Sequence, residues 1–163
     1  MSGILKQSIG IDIAKDKFDV CFSVINQQQK VTIKSTRKFP NQQNGFKEFD
    51  KWVEKLTDND CNLVFVIEAT GVYYEQLAWH LNQKGLYVSV ILPNKAKKYH
   101  ESLGLKSKND KIDAKGLSRM GAEQALEQWQ PLSIDFYKLR SLSREIEDLN
   151  NIKTMLNNQL HAM

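Results

Sequence analysis

An aspartate sits inside the first apolar run of this chain, Ile9-Gly10-Ile11-Asp12-Ile13-Ala14, and a glutamate closes another, Leu63-Val64-Phe65-Val66-Ile67-Glu68. Apolar runs of this length, flanked by turn formers, read as strands of a covered sheet. A carboxylate carried into such a strand is costly to bury unless something pairs with it, and a metal ion is the usual partner. The two acids therefore point to chemistry and restrict the fold to one that brings them together.

The order of elements supplies such a fold. Ser8–Ala14 reads as a strand, Lys15-Asp16-Lys17 as a tight polar turn, and Phe18–Ile25 as a second strand with Phe18, Val20, Phe22 and Val24 alternating. After a turn at Asn26–Gln29, Val31–Phe39 reads as a third strand with Val31, Ile33 and Ser35 on one face. Beyond Pro40-Asn41, the residues Phe46, Phe49, Trp52, Val53 and Leu56 recur at helical spacing. Strand Leu63–Ile67, the turn Ala69-Thr70-Gly71, a helix over Tyr73–Lys84 stopped by Gly85, and a fifth strand Leu86–Leu92 follow. The expected class is α/β. Three adjacent strands followed by alternating helices and strands predict a ribonuclease-H-like mixed five-stranded sheet with flanking helices. In that fold carboxylates of the first strand, the fourth strand and a late helix converge at one edge of the sheet.

Pro93–Leu103 reads as a short helix, and a loop at Gly104-Leu105-Lys106-Ser107 leads to the next one. There Asp110, Asp113, Leu117 and Met120 fall on one face of a single helix, directing both acids inward. Between Pro93 and Met120 eight basic side chains (Lys95, Lys97, Lys98, Lys106, Lys108, Lys111, Lys115 and Arg119) face only Glu101, Asp110 and Asp113. The net charge of +4 is thus concentrated around the acids, a setting suited to a phosphate backbone held without base reading.

Four carboxylates, Asp12, Glu68, Asp110 and Asp113, could hold two divalent ions about 4 Å apart, each stabilising one oxygen of an in-line phosphoryl displacement. Magnesium suits oxygen ligands of this kind, with manganese as its substitute. A plainer account makes Asp110 an N-cap and Asp113 its N3 partner, and both roles are compatible. Asp16 and Asp19 read as solvent-side residues, and His80 and His100 as plain surface residues. Tyr73 and Tyr74 read as helix-surface residues, and Cys21 and Cys61, without CxxC spacing, as small buried hydrophobes of a reducing cytosol.

The tail follows different rules. Leu139, Leu142, Ile146, Leu149, Leu156, Leu160 and Met163 step by threes and fours, with Lys153 in the missing seam position. This is a heptad pattern, running to the last residue without a glycine cap or proline stop. The expectation is a helix that continues in a longer parent and pairs with a partner as a homo-oligomer. Domain limits are expected at 1–128 and 133–163, separated by a break containing Pro131. No run approaches the roughly 18 apolar residues of a membrane span, and no signal peptide is evident, so a cytoplasmic protein is expected.

Gly10-Ile11-Asp12-Ile13-Ala14-Lys15, Glu68-Ala69-Thr70-Gly71-Val72-Tyr73, Leu92-Pro93-Asn94 and Lys108-Asn109-Asp110-Lys111-Ile112-Asp113-Ala114-Lys115 occur in this order. Together they closely resemble the N-terminal DEDD domain of bacterial transposases of the insertion-sequence-one-hundred-and-ten family, a group that includes the Piv-like DNA invertases. The tail resembles the helical region that follows that domain. The resemblance implies that Asp12, Glu68, Asp110 and Asp113 form a metal-binding catalytic tetrad for cutting and rejoining DNA. It further implies a serine nucleophile on a C-terminal domain that no serine motif here matches, and for some members a structured guide RNA. Three other functions compete: a self-sufficient RuvC-like endonuclease, a nucleotide-binding domain of the actin and sugar-kinase type, and a structural arm with a nucleic-acid dock. The nucleotide-binding type uses glycines after its first-strand aspartate, where this chain has Ile13-Ala14-Lys15.

Overall fold

The computed structural model describes residues 3–104 and 113–161. The chain divides into two compact units, Met1–Trp129 and Gln130–Met163.

In the first unit, strands β1 (Ile4–Ile13), β2 (Lys17–Asn26) and β3 (Val31–Pro40) precede helix α1 (Gln43–Leu56). Strand β4 (Leu63–Glu68), helix α2 (Glu75–Gln83) and strand β5 (Val88–Ile91) follow, then helices α3 (Pro93–Ser102) and α4 (Ala114–Glu123). The sheet order is β3-β2-β1-β4-β5. Strand β2 runs antiparallel to both its neighbours, while β1, β4 and β5 are parallel. This is the ribonuclease-H-like arrangement that the order of elements predicts.

The two faces of the sheet are built from different residues. One carries Ile9, Ile11 and Ile13 of β1, Phe18, Val20, Phe22 and Val24 of β2, Phe39 of β3, and Phe65 and Ile67 of β4. Their apolar alternation creates a surface that α1 covers with Phe46, Phe49, Trp52 and Val53, and α2 with Leu77, Ala78 and Leu81. The rings interlock edge to face; Phe18 and Phe49, for example, lie 5.4 Å apart at 87°. Such pairs add about 0.5–1.5 kcal/mol each beyond the area they bury.

The other face is narrow and polar. Ser8, Gly10, Cys21 and Ser23 lie under α4, and Ser118 Oγ of α4 bonds Ser23 Oγ at 3.0 Å and Cys21 Sγ at 3.3 Å. A Cβ placed at Gly10 would collide with the Ala114 carbonyl and the Ser118 amide; one at Gly121 would collide with Ser8 Oγ and Val66. Only glycine allows α4 to rest directly on β1 and β4. A second apolar cluster, with Val64, Val66, Ile91, Ala96, Tyr99, Leu117 and Met120, completes this layer. The Tyr99 hydroxyl donates to Glu123 Oε2 at 2.7 Å, joining α3 to α4. Burial and that carboxylate together push the phenol pKa well above its ordinary range.

Several sequence expectations need correction. Val31 and Ile33 share a face but Ser35 does not, because the β2–β3 register shifts between Phe22 and Ser23. Ser35 pairs with Phe22 and Ile33 with Ser23, so the extra residue Lys34 reverses the alternation. Helix α2 starts at Glu75, so Tyr73 and Tyr74 lie in the preceding turn; Tyr73 is exposed, and Tyr74 packs against the core. His80 is not a plain surface residue: its Nε2 lies 2.9 Å from Asp50 Oδ2, which Lys84 Nζ also approaches at 2.6 Å, clasping α2 to α1. His100 is half-buried. Cys21 is fully buried and Cys61 partly so, and burial raises the pKa of both thiols.

The second unit consists chiefly of one helix, α5 (Ile134–His161). None of its described residues is buried. The seam residues Leu139, Leu142, Ile146, Leu149, Leu156 and Leu160 are all at least half exposed. Among the described residues no helix is long and apolar enough to cross a membrane.

Candidate active site

Asp12 and Glu68 lie towards the C-terminal ends of adjacent parallel strands. Ile11 of β1 lies beside Ile67 of β4, so Asp12 and Glu68, one residue further along each strand, come level and turn to the same face. It is the face that α4 covers over Gly10. Asp12 is half-buried, and Glu68 is only 6% exposed. The Thr70 hydroxyl donates to Glu68 Oε1 at 2.6 Å, a short charge-assisted bond that fixes the carboxylate where it leaves the strand. The Ala69 amide donates to the Ile91 carbonyl, and Gly71 then adopts φ +59°, turning the chain away from the site. Asn41 Nδ2 donates to the Ala14 and Tyr73 carbonyls at 2.9 and 3.1 Å, tying the loop after β1 to the loop after β4.

Helix α4 delivers the third acid. Asp113 is its N-cap: Oδ1 accepts from the Gly116 amide at 2.9 Å. It is thus the cap itself and not the N3 partner of one, because the helix begins at Ala114. The close contact of α4 with Gly10 sets this N-terminus over β1, and Asp12 and Asp113 line one cleft of about 440 Å³. The positive end of the helix dipole favours negative charge there. Asp110 lies outside the described residues, so the expectation that it shares a helix face with Asp113 does too. Among the described residues, no three His, Cys, Asp or Glu side chains form a cluster able to hold a metal. Asp12, Asp19 and Asp113 bring carboxylates to the cleft, and the Cys21 sulfur that also lines it is buried and already accepts from Ser118 Oγ, so the carboxylate donors fit a hard divalent cation.

Asp19 corrects the sequence reading. It is not simply a solvent-side residue but stands directly opposite Asp12 across the β1–β2 pair and lines the same cleft. Its partner on the next strand is Lys38, whose Nζ lies 3.2 Å from Asp19 Oδ1. The tight turn at Lys15–Lys17 was the signal available, since a hairpin closed there brings Asp19 back level with Asp12. Thr70, a turn residue in the sequence reading, is the hydrogen-bond partner of Glu68. Among the expected basic contacts, Lys95, Lys97, Lys98 and Lys115 are exposed, and only Lys115 lines the cleft with Asp12 and Asp113. Lys106, Lys108 and Lys111 lie outside the described residues. Arg119 is committed to Glu123, with Nε 2.7 Å from Oε1.

Comparison with known proteins identifies the family. The model of the DEDD transposases of the insertion-sequence-one-hundred-and-ten family, described as "Transposase", matches residues 9–163. The chain belongs to this transposase family. A relative, the pilin gene-inverting protein of Moraxella bovis, is 40% identical over 142 residues, which cover 87% of this chain and 42% of the relative. The chain therefore spans less than half the length of the curated relative it matches. Among solved structures, Thermus thermophilus RuvC in complex with a Holliday junction gives a TM-score of 0.47 at 11% identity, covering 72% of this chain and 93% of the other. The Fowlpox virus resolvase with Holliday junction DNA gives 0.48 at 12% identity, covering 72% and 97%. Transposase family membership rests on the sequence relationship, and membership in a DEDD family implies dependence on a divalent metal.

Proposed function

We propose that this transposase-family chain is the N-terminal domain of a DNA recombinase and supplies the acids Asp12, Glu68, Asp110 and Asp113 that bind metal for DNA strand cleavage and rejoining. The observation that carries the reading is the convergence of Asp12 and Asp113 on one cleft, with Glu68 level with Asp12 on the adjacent strand. Magnesium is the proposed ion, with manganese in its place experimentally. When bound it would neutralise charge developing on phosphate oxygens. The protein's own part is positional. Thr70 orients Glu68, the α4 N-terminus presents Asp113, and Lys95, Lys97, Lys98 and Lys115, together with Lys106, Lys108 and Lys111, hold the DNA backbone.

The relative's printed role, inverting a pilin gene, supports DNA as the substrate. A recombinase of this kind acts in the cytoplasm, and a structured guide RNA is a candidate further partner. We assign residues 1–128 to the RuvC-like catalytic part and 133–163 to the beginning of a coiled-coil-type helix. The exposed seam of α5 supports homo-oligomerisation. We further propose that a serine-bearing second domain completes a composite site and that this chain by itself has little or no activity; the relative is longer than the segment matched here, which leaves room for such a domain.

Calorimetric titration of Mg²⁺ and Mn²⁺ into the chain, beside an Asp110→Asn, Asp113→Asn double variant, tests the reading. Binding by the wild type that disappears in the variant is the expected result. Equal binding by both would overturn the assignment of these acids.

A further inference from the structure

The face that carries Asp12 continues across the sheet as a row of charge. Asp12 stands opposite Asp19, and Asp19 opposite Lys38, so the row runs acid, acid, base from the sheet's centre to its edge. Like charges directly opposite on adjacent strands destabilise a sheet. Lys38 Nζ, 3.2 Å from Asp19 Oδ1, offsets that repulsion. The Lys38 side chain is 68% exposed, so the pair adds little to stability, and its placement is what needs a reason.

Strand β3 provides the context. From Val31 to Pro40 it carries Lys34, Arg37 and Lys38 and no acid, and it forms one edge of the sheet. Arg37 and Lys38 line the same cleft as Asp12 and Asp113, together with Lys115 of α4. Basic residues also protect edge strands from pairing with other chains. Lys34, outside the cleft, serves that duty; Lys38 is set beside the acids instead.

We propose that Lys38, held next to Asp12 by Asp19, is a DNA-backbone contact of the candidate active site, and that Thr36–Lys38 is the wall along which the substrate strand enters. The proposal rests on the recombinase reading and adds a contact outside the basic segment that follows β5. An ammonium has three N–H donors, so Lys38 can donate to a phosphate without leaving Asp19. It acts as a point charge, positioning the strand without reading its sequence. Asp19 is a positioning residue: it holds the ammonium over the cleft before DNA arrives.

The test is fluorescence anisotropy with a labelled DNA duplex, repeated between about 50 and 200 mM salt, on the wild-type chain and its Lys38→Gln and Lys34→Gln variants. Loss of one phosphate contact flattens the slope of log K against log salt by about 0.9. That loss is expected for Lys38→Gln, with weaker binding at every salt concentration, and not for Lys34→Gln. Equal slopes for Lys38→Gln and wild type would remove this contact while leaving the recombinase reading intact. Equal flattening by both variants would reduce Lys38 to general surface charge and overturn the proposal. A wild-type chain that binds no DNA even at low salt would overturn both the contact and the reading beneath it.

Discussion

The two faces of the central sheet do different work. The face under α1 and α2 is packed with Phe18, Phe39, Phe46, Phe49 and Phe65, all at most 1% exposed. Under α4, strands β1 and β2 present Ser8, Gly10, Cys21 and Ser23, and the helix approaches so closely that a methyl group added at Gly10 would strike backbone. Large side chains bury apolar area and stabilise. Small ones contribute less burial but remove the spacer between helix and sheet, and so fix where the helix N-terminus lies. Stability is concentrated on one side and the precision of the site on the other.

Substitutions on each face should separate these roles. The largest effect is expected at the site itself. Asp12→Ala should abolish recombination by the full-length parent, read as inversion or transposition frequency, while the melting temperature of the chain stays near the wild-type value. Retained recombination would mean that Asp12 is not a ligand. Next comes the aromatic face: Phe49→Ala should destabilise the chain by about 3–5 kcal/mol in urea unfolding. In the fraction still folded, metal affinity should be unchanged, because Phe49 lies across the sheet from the acids.

A smaller stability change with a larger functional one is expected at Gly10→Ala. Overpacking of this kind costs about 1–3 kcal/mol. The methyl group must lift α4 from β1, so metal affinity should fall more than stability predicts. A Gly10→Ala chain with normal metal binding would break the argument that close approach positions Asp113. The subtlest change is Thr70→Val, which keeps shape and removes the donor to Glu68. Loss of a partner that orients a metal ligand typically weakens binding 10–100-fold. Thr70→Ser should restore the affinity, which calorimetry would read directly.

Much of the fold was legible before pairing. The alternation in Phe18–Val24, the helical spacing of Phe46, Phe49, Trp52 and Val53, and Pro93 at the first turn of α3 place their elements within a few residues of the observed limits. In each case the signal lies along the chain, in a period of two or 3.6 residues. The faces of β3 were not legible. The extra residue at Lys34 breaks the period, and a bulge is defined only against the partner strand. Nor was the His80–Asp50–Lys84 clasp, whose members come from α1 and from α2 and the residue that ends it, with a strand between.

The site divides along the same line. By itself the sequence determined that an aspartate enters the first strand, that a glutamate ends the fourth, and that an acid begins the helix after α3; their identity and order also carry the transposase family relationship. Only the tertiary structure decided that Asp113 is the cap of α4, that Asp19 and Lys38 join the row with Asp12, and that Thr70 restrains Glu68. The reason is physical: periodicity is local and can be read from neighbours in sequence. Which side chains share a cleft depends on strand register and on how close a helix can come, and both are set only when the sheet and α4 pack together.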